Sequence, residues 1–229
     1  MMESAVGLSK TERFNHGKAL RNKCPRTSQA EWKPRSKSKD IVKLLEESDI
    51  DRIPGLIALK YQRMGVSPFT FYRGAAIIQA RDLAKAPASG ITVQACGDCH
   101  LANFGGFASP ERVLVFDIND FDETFPGAWE WDIKRLGASL VLAARDRSFS
   151  KTVANQAVRA AAASYRERMS EFAEMKVLET WYERVTIDAL KEYFRNDPDM
   201  STRLSRKQKQ ALSQNACACS NYEYSTLRR

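Results

Sequence analysis

The sequence predicts a mostly helical α+β fold, and three observations predict it. Apolar residues recur at helical spacing over long stretches, as in Val153, Ala157, Ala161, Tyr165 and Phe172. Two β-rich runs, Ile91–Cys96 and Val113–Ile118, interrupt that pattern near the middle of the chain. A turn signal, Ser109-Pro110-Glu111-Arg112, separates the second run from Phe104–Phe107, which is the pattern of a hairpin. At 229 residues and 43% hydrophobic, the chain can bury one sizeable core.

Taken in order, residues 1–37 read as a basic, poorly ordered tail. Ser38 is placed to N-cap a helix with Ile41, Leu44 and Leu45 on one face. Asp51-Arg52-Ile53-Pro54-Gly55 breaks it, and an apolar run resumes over Leu56–Lys60. Ser67-Pro68 opens a helical segment through Phe71, Tyr72 and Ile77 to Leu83, ended by Pro87 and Gly90. The strand Ile91–Cys96 then delivers the chain to Gly97-Asp98, and the hairpin follows. In the acidic stretch 117–123, Phe116, Ile118 and Phe121 interleave the carboxylates, so partial burial is expected. Pro126-Gly127 breaks the chain before a helix over Trp129–Arg147, with Leu136, Leu140 and Val141 facing inward. Ser150 caps a long helix, and Trp181–Phe194 reads as another. Asn196-Asp197-Pro198-Asp199 ends the ordered region, so residues 38–195 form the domain and 196–229 a second basic tail.

The formal net charge of +8 is unevenly placed: residues 1–39 carry +7, residues 201–229 carry +5, and the body between them carries −4. Basic tails attract polyanions. No aromatic residues interleave densely enough to stack bases, so nucleic acid is not the expected partner. No stretch is apolar enough to span a bilayer, and the N-terminus lacks a secretory pattern. The expectation is a cytoplasmic protein whose five cysteines are reduced.

Ten residues, Cys96 to Gly105, support two chemistries. Read by sulfur, Cys96-x-x-Cys99-His100 has the spacing of a haem attachment site, or of half a zinc or redox site. Zinc needs further ligands, yet the other histidine, His16, lies in the basic tail and Cys24 is isolated. Cys217-x-Cys219 is too tight for a zinc knuckle. A redox thiolate is opposed by Asp98, whose charge raises the thiol pKa values. Read by oxygen, Gly97-Asp98-x-x-x-x-Asn103 between a strand and a hairpin, followed by an acidic loop, is the order of parts in a phosphoryl-transfer catalytic lobe. Asp98 would orient or deprotonate a hydroxyl. Asn103 would offer its oxygen to magnesium, and an aspartate after the hairpin would hold magnesium against nucleotide phosphates.

Longer motifs narrow the choice. Ser67-Pro68-Phe69-x-Phe71-Tyr72-Arg73-Gly74, Cys96-Gly97-Asp98-x-His100-Leu101-x-Asn103-Phe104-Gly105, Phe107-Ala108-Ser109-Pro110-Glu111-Arg112, Phe116-Asp117-x-Asn119-Asp120-Phe121-Asp122-Glu123-Thr124 and Trp129-Glu130-Trp131-Asp132-x-Lys134-Arg135-Leu136 closely resemble the bacterial domain-of-unknown-function family 2252. The resemblance spans roughly residues 38–195. That family in turn resembles aminoglycoside-phosphotransferase-like kinases, whose catalytic loop reads His-Gly-Asp-x-His-x-x-Asn, with Cys96 standing where that histidine would be. The resemblance implies a partial protein-kinase-like catalytic lobe, a short β-hairpin flanked by helices. It implies Asp98 as catalytic residue, His100 and Asn103 at the cofactor, and Asn103 with Asp120 or Asp117 at the metal. Counting back twelve residues from the helix at Asp132 selects Asp120, and counting forward from Asn103 selects Asp117. The implied cofactors are Mg2+ and ATP, and the implied partners a nucleotide and a hydroxyl acceptor.

One departure matters. A kinase also needs a glycine-rich phosphate loop and a strand lysine, and no Gly-x-Gly-x-x-Gly occurs here. Ile57-Ala58-Leu59-Lys60 mimics the lysine motif, but Lys60 lies too near Asp98 in sequence for a nucleotide lobe to intervene. The resemblance implies that a glycine-rich stretch and a strand lysine follow at the C-terminus, so the chain is expected to be a shortened member. The missing lobe, or a protein partner, would then complete it. The alternative is a non-catalytic remnant or interaction module, with an apolar surface near Phe104–Phe107.

Overall fold

Local signals account for most of the helices in the computed structural model, which describes residues 7–31, 39–206 and 208–209. Ser9 and Glu12 close a capping box on α1 (Lys10–Lys23), so residues 7–31, expected to be poorly ordered, hold a helix. That helix buries none of its own residues, and Cys24 at its C-cap is buried. The predicted cap Ser38 lies outside the described residues, and α2 (Lys39–Glu47) follows it, with Leu44 and Leu45 buried. Pro54-Gly55, read as a breaker, instead opens α3 (Pro54–Met64), because proline at the first helical turn loses no needed N–H. The segment expected to run unbroken to Leu83 is split into α4 (Pro68–Arg73) and α5 (Ala76–Leu83), with a Ser67–Thr70 capping box at the first. Leu45, Met64 and Ala75 form a buried apolar cluster, flanked by Ile41, Tyr61 and Ile78.

Contacts divide the described residues into two units, those within 1–101 and 121–162, and those within 102–120 and 163–229. In the first, β1 (Thr92–Ala95) pairs antiparallel with β4 (Phe125–Ala128), Gln94 opposite Pro126. Here Pro126-Gly127 is strand rather than breaker, since proline is tolerated on an edge strand. Thr124 donates its hydroxyl to Ala95 O at 2.8 Å, and Phe125 packs on Trp131 with ring centroids 5.3 Å apart. The helix α6 (Glu130–Asp146) follows at once. Its buried residues are Glu130, Arg135, Ser139 and Ala144, whereas Leu136, Leu140 and Val141 are only half-buried. Ser150 accepts from Val153 N at the start of α7 (Lys151–Phe172), as expected.

The second unit contains the predicted hairpin, β2 (Phe104–Ala108) with β3 (Leu114–Ile118), in the register Phe104 to Ile118 and Phe107 to Val115. Arg112 takes the left-handed conformation at the turn, φ +62°. Trp181–Phe194, read as one helix, is two: α8 (Val177–Tyr182) and α9 (Ile187–Tyr193). Between them the chain runs extended along β3, with Phe116 N donating to Val185 O at 2.8 Å and a bridge from Val115 to Thr186. Pairing with β3 outweighs helix propensity there. Residues 198–206 are helical where the sequence suggested a tail. The architecture is thus a mostly helical α+β fold with two small antiparallel sheets. Among the described residues no helix is long and apolar enough to cross a membrane.

Candidate functional site

The loop after β1 is held from one side by α6. Residues 132, 135 and 139 fall on one helical face, and each holds a different part of the loop. Asp132 accepts from the backbone N–H of Cys96 (2.7 Å) and of Gly97 (3.1 Å), one carboxylate oxygen for each. Arg135 donates from Nε to Asp98 Oδ1 at 2.5 Å and closes a second contact to the same oxygen from Nη2. Ser139, fully buried, accepts from Leu101 N at 2.9 Å and donates to Leu136 O within its own helix. Gly97 makes the turn possible. Its φ is +82°, and a Cβ there would lie 2.0 Å from the Glu123 carbonyl oxygen.

Arg135 is 2% exposed, and its guanidinium is used on every edge. Beyond Asp98, Nη1 donates to Gln79 Oε1 at 2.8 Å and Nη2 to Tyr72 O at 2.9 Å, while the group stacks 4.4 Å from the Tyr72 ring centroid. The Tyr72 hydroxyl donates to Gln79 Oε1 and reaches Arg135 O. Burial pushes the Tyr72 phenol up to about 12, so it is a donor throughout the physiological range. A buried guanidinium with all three nitrogens engaged is geometrically fixed, and so is the carboxylate it grips.

His100 sits beside this pair, 2% exposed, with Nε2 3.6 Å from Asp98 Oδ2. Burial lowers its pKa below the ordinary 6.5. Asp98 opposes that shift, and the charges of Arg135 and Arg73 add to it. The ring is therefore neutral near pH 7. Its Nδ1 is a buried nitrogen with no hydrogen-bond partner among the described residues.

Among the described residues the sulfur atoms do not assemble a centre. Cys96 and Cys99 are buried, and burial pushes the Cys99 thiol up to about 12, with Asp132 and Cys96 adding to the rise and Asp98 adding less. Among the described residues no group of three His, Cys, Asp or Glu is placed to hold a metal ion. His16 is exposed on α1, and Cys217-x-Cys219 lies outside the described residues.

The remaining predicted residues lie in the second unit, at the mouth of the hairpin. Asn103 is buried, and its carbonyl accepts from Asn119 N at 3.0 Å. Asp117 stands opposite Gly105 in the ladder, its Oδ1 accepting from Ile118 N at 2.8 Å. Asp120 follows Asn119. The expected partial burial of the acidic stretch is not found: Asp117, Asp120, Asp122, Glu123 and Phe121 are all exposed, and only Ile118 is half-buried. Four close carboxylates avoid one another best in water.

Lys60 is a helical residue of α3, not a strand lysine. It donates to Asp49 Oδ1 at 2.6 Å, while Tyr61 donates to Asp49 Oδ2 at 2.5 Å. The pair is a brace between α3 and the end of α2. Sequence reasoning missed Arg135 as a site residue, although its motif was legible. An arginine in an apolar-flanked helix carries no local sign of which carboxylate it will meet.

A family profile described as an uncharacterized protein conserved in bacteria (DUF2252) matches residues 52–225. No curated protein and no solved structure matches the chain.

Proposed function

The chain belongs to the DUF2252 family, and from that premise we propose that residues 96–103 are the catalytic loop of a magnesium- and nucleotide-dependent, kinase-like phosphotransferase. One observation carries this reading: α6 commits Asp132, Arg135 and Ser139 to holding one short loop and the Asp98 carboxylate on it. Buried polar groups are costly unless fully satisfied, and such fixed charge suits a site that must orient a reacting group. Asp98 would orient the acceptor hydroxyl, with neutral His100 beside it.

The donors at the hairpin mouth fit magnesium arriving on phosphate oxygens. Magnesium is commonly held by one or two carboxylates with substrate phosphates completing its shell. An amide at Asn103 and an exposed carboxylate at Asp120, with Asp117 the second candidate, suit that better than a resident metal cage. Bound there, magnesium would neutralise phosphate charge as it develops. The chain's own sequence supplies no glycine-rich loop, and Lys60 is committed to Asp49, so phosphate-covering groups would have to come from elsewhere. The buried cysteines among the described residues, Cys24, Cys96 and Cys99, suit a reducing cytoplasm.

Thermal protection by Mg-ATP tests the reading. Wild type is expected to gain melting temperature with Mg-ATP, and Asp120→Asn to lose that gain. A wild type indifferent to Mg-ATP refutes it. A second reading, a non-catalytic interaction module, is favoured by α8, whose Val177 and Trp181 are 83% and 80% exposed and whose Leu178 and Tyr182 are nearly as open. Self-association seen by light scattering and abolished by Trp181→Glu supports that module. A strict monomer at all concentrations counts against it.

A further inference from the structure

The Arg135 contacts allow two physical roles. In one, Arg135 is a structural post linking α6 to α4 and α5, and Asp98 is simply its counter-ion. In the other, the post exists to fix Asp98. The geometry favours the second. Nε and Nη2 converge on a single oxygen, Oδ1, so the grip fixes that oxygen and with it the rotation of the carboxylate. The other oxygen is turned toward His100, 3.6 Å away. The far side of the guanidinium is locked by Gln79 Oε1 and Tyr72 O, and its face by the Tyr72 ring, so it has no freedom to follow a moving carboxylate. A counter-ion alone would need none of this, because a flexible lysine neutralises a carboxylate equally well.

We propose that Arg135 is the positioning residue of the loop, holding Asp98 by Oδ1 so that Oδ2 is presented beside His100. Its catalytic meaning rests on the phosphotransferase reading, but its geometric content does not. Tyr72 on α4 and Gln79 on α5 become part of the same device. They clamp the guanidinium from outside, and their exchange is expected to reach Asp98 without touching it.

His100 reports on the device. The chain has two histidines, and His16, exposed on α1, serves as internal reference in ring 1H–15N correlation spectra recorded against pH. The charges facing His100 are Asp98 from its own loop, Arg135 from α6 and Arg73 from the end of α4. Asp98→Asn removes an attraction and is expected to lower the His100 midpoint. Arg135→Lys keeps the charge but loses the fork. If the fork positions Asp98, the carboxylate drifts from the ring, and the midpoint falls by about half a pH unit or more, with His16 unmoved. If Arg135 supplies only charge, the midpoint stays within about a tenth of a unit, and the proposal is overturned. An upward displacement overturns it as well. Should Arg135→Lys fail to fold, Gln79→Met, which removes the acceptor of Nη1, decides by the same sign at smaller amplitude. Mg-ATP protection of wild type is read separately. Protection without a His100 displacement removes the positioning role and leaves the phosphotransferase reading standing. Displacement without protection does the reverse.

Discussion

Replacing Gly97 by alanine separates backbone strain from steric exclusion at the loop. Two costs add there. A non-glycine residue at φ +82° costs about 1–2 kcal/mol. The new Cβ would also sit 2.0 Å from the Glu123 carbonyl oxygen and 2.7 Å from its carbon, where ordinary contact begins at 3.4 Å. Backbone on both sides must therefore separate by over an ångström, and overpacking of that kind costs about 1–3 kcal/mol more. The expected total is about 3 kcal/mol, a fall in melting temperature of about 6–12 °C for a chain of this size. Gly90→Ala is the control. Its φ is +92°, and nothing lies within 4 Å of the added carbon, so it carries the strain alone, about 1–2 kcal/mol. Gly55→Ala, in α3 with ordinary φ and open space, is expected to be neutral or to stabilise by up to about 1 kcal/mol. Thermal denaturation followed by circular dichroism measures all three. If Gly97→Ala melts together with Gly90→Ala, the close approach of the loop to Glu123 is refuted.

Other outcomes follow from the same geometry. The folded-state pKa of His100 is depressed, so the unfolded chain binds the proton more readily, and stability is full above about pH 6.5 and falls as the pH drops below it. Urea midpoints at about pH 7 and pH 5 measure this, and His100→Gln is expected to flatten the difference. Native-state alkylation with peptide mapping should find Cys24, Cys96 and Cys99 protected, and modification of Cys99 before unfolding would contradict its burial and its raised pKa. Lys60→Met strips one partner from buried Asp49 and should cost about 1–3 kcal/mol. It should leave the Mg-ATP response unchanged, and a selective loss of that response would mark Lys60 as a phosphate ligand after all. Asp132→Asn keeps its shape but weakens two charge-assisted bonds to the loop, for an expected loss of about 1–2 kcal/mol by denaturant titration.

Elements with strong local signals were legible in the sequence: the hairpin, the Ser150 cap and the buried face of Leu44 and Leu45. Elements decided by distant pairing were not. Pro126-Gly127 looks like a breaker until Gln94 and Val93 lie opposite it, and residues 183–186 look helical until β3 offers them a partner. The candidate loop was legible in Gly97, Asp98 and Asn103, whose types and order match the parts of a phosphoryl-transfer loop. What holds the loop was hidden, since the buried face of α6 is polar. Periodicity weighs Leu136, Leu140 and Val141 and is blind to an arginine and a serine with the same spacing. The acidic stretch misled for a related reason. Interleaved phenylalanines suggest burial, but mutual repulsion of the carboxylates keeps the segment in water.

The extended segment between α8 and α9 has a bearing on solubility. A two-stranded hairpin is marginal by itself, and this one carries Phe104, Phe107 and Phe116 on a ribbon whose outer strand would offer bare backbone to any neighbour. Val185 and Thr186 lie along the β3 edge, joined to it by one backbone hydrogen bond and an isolated bridge. They cover part of the backbone that β3 would otherwise offer to a neighbour. Cutting the chain there would bare the outer backbone edge of β3.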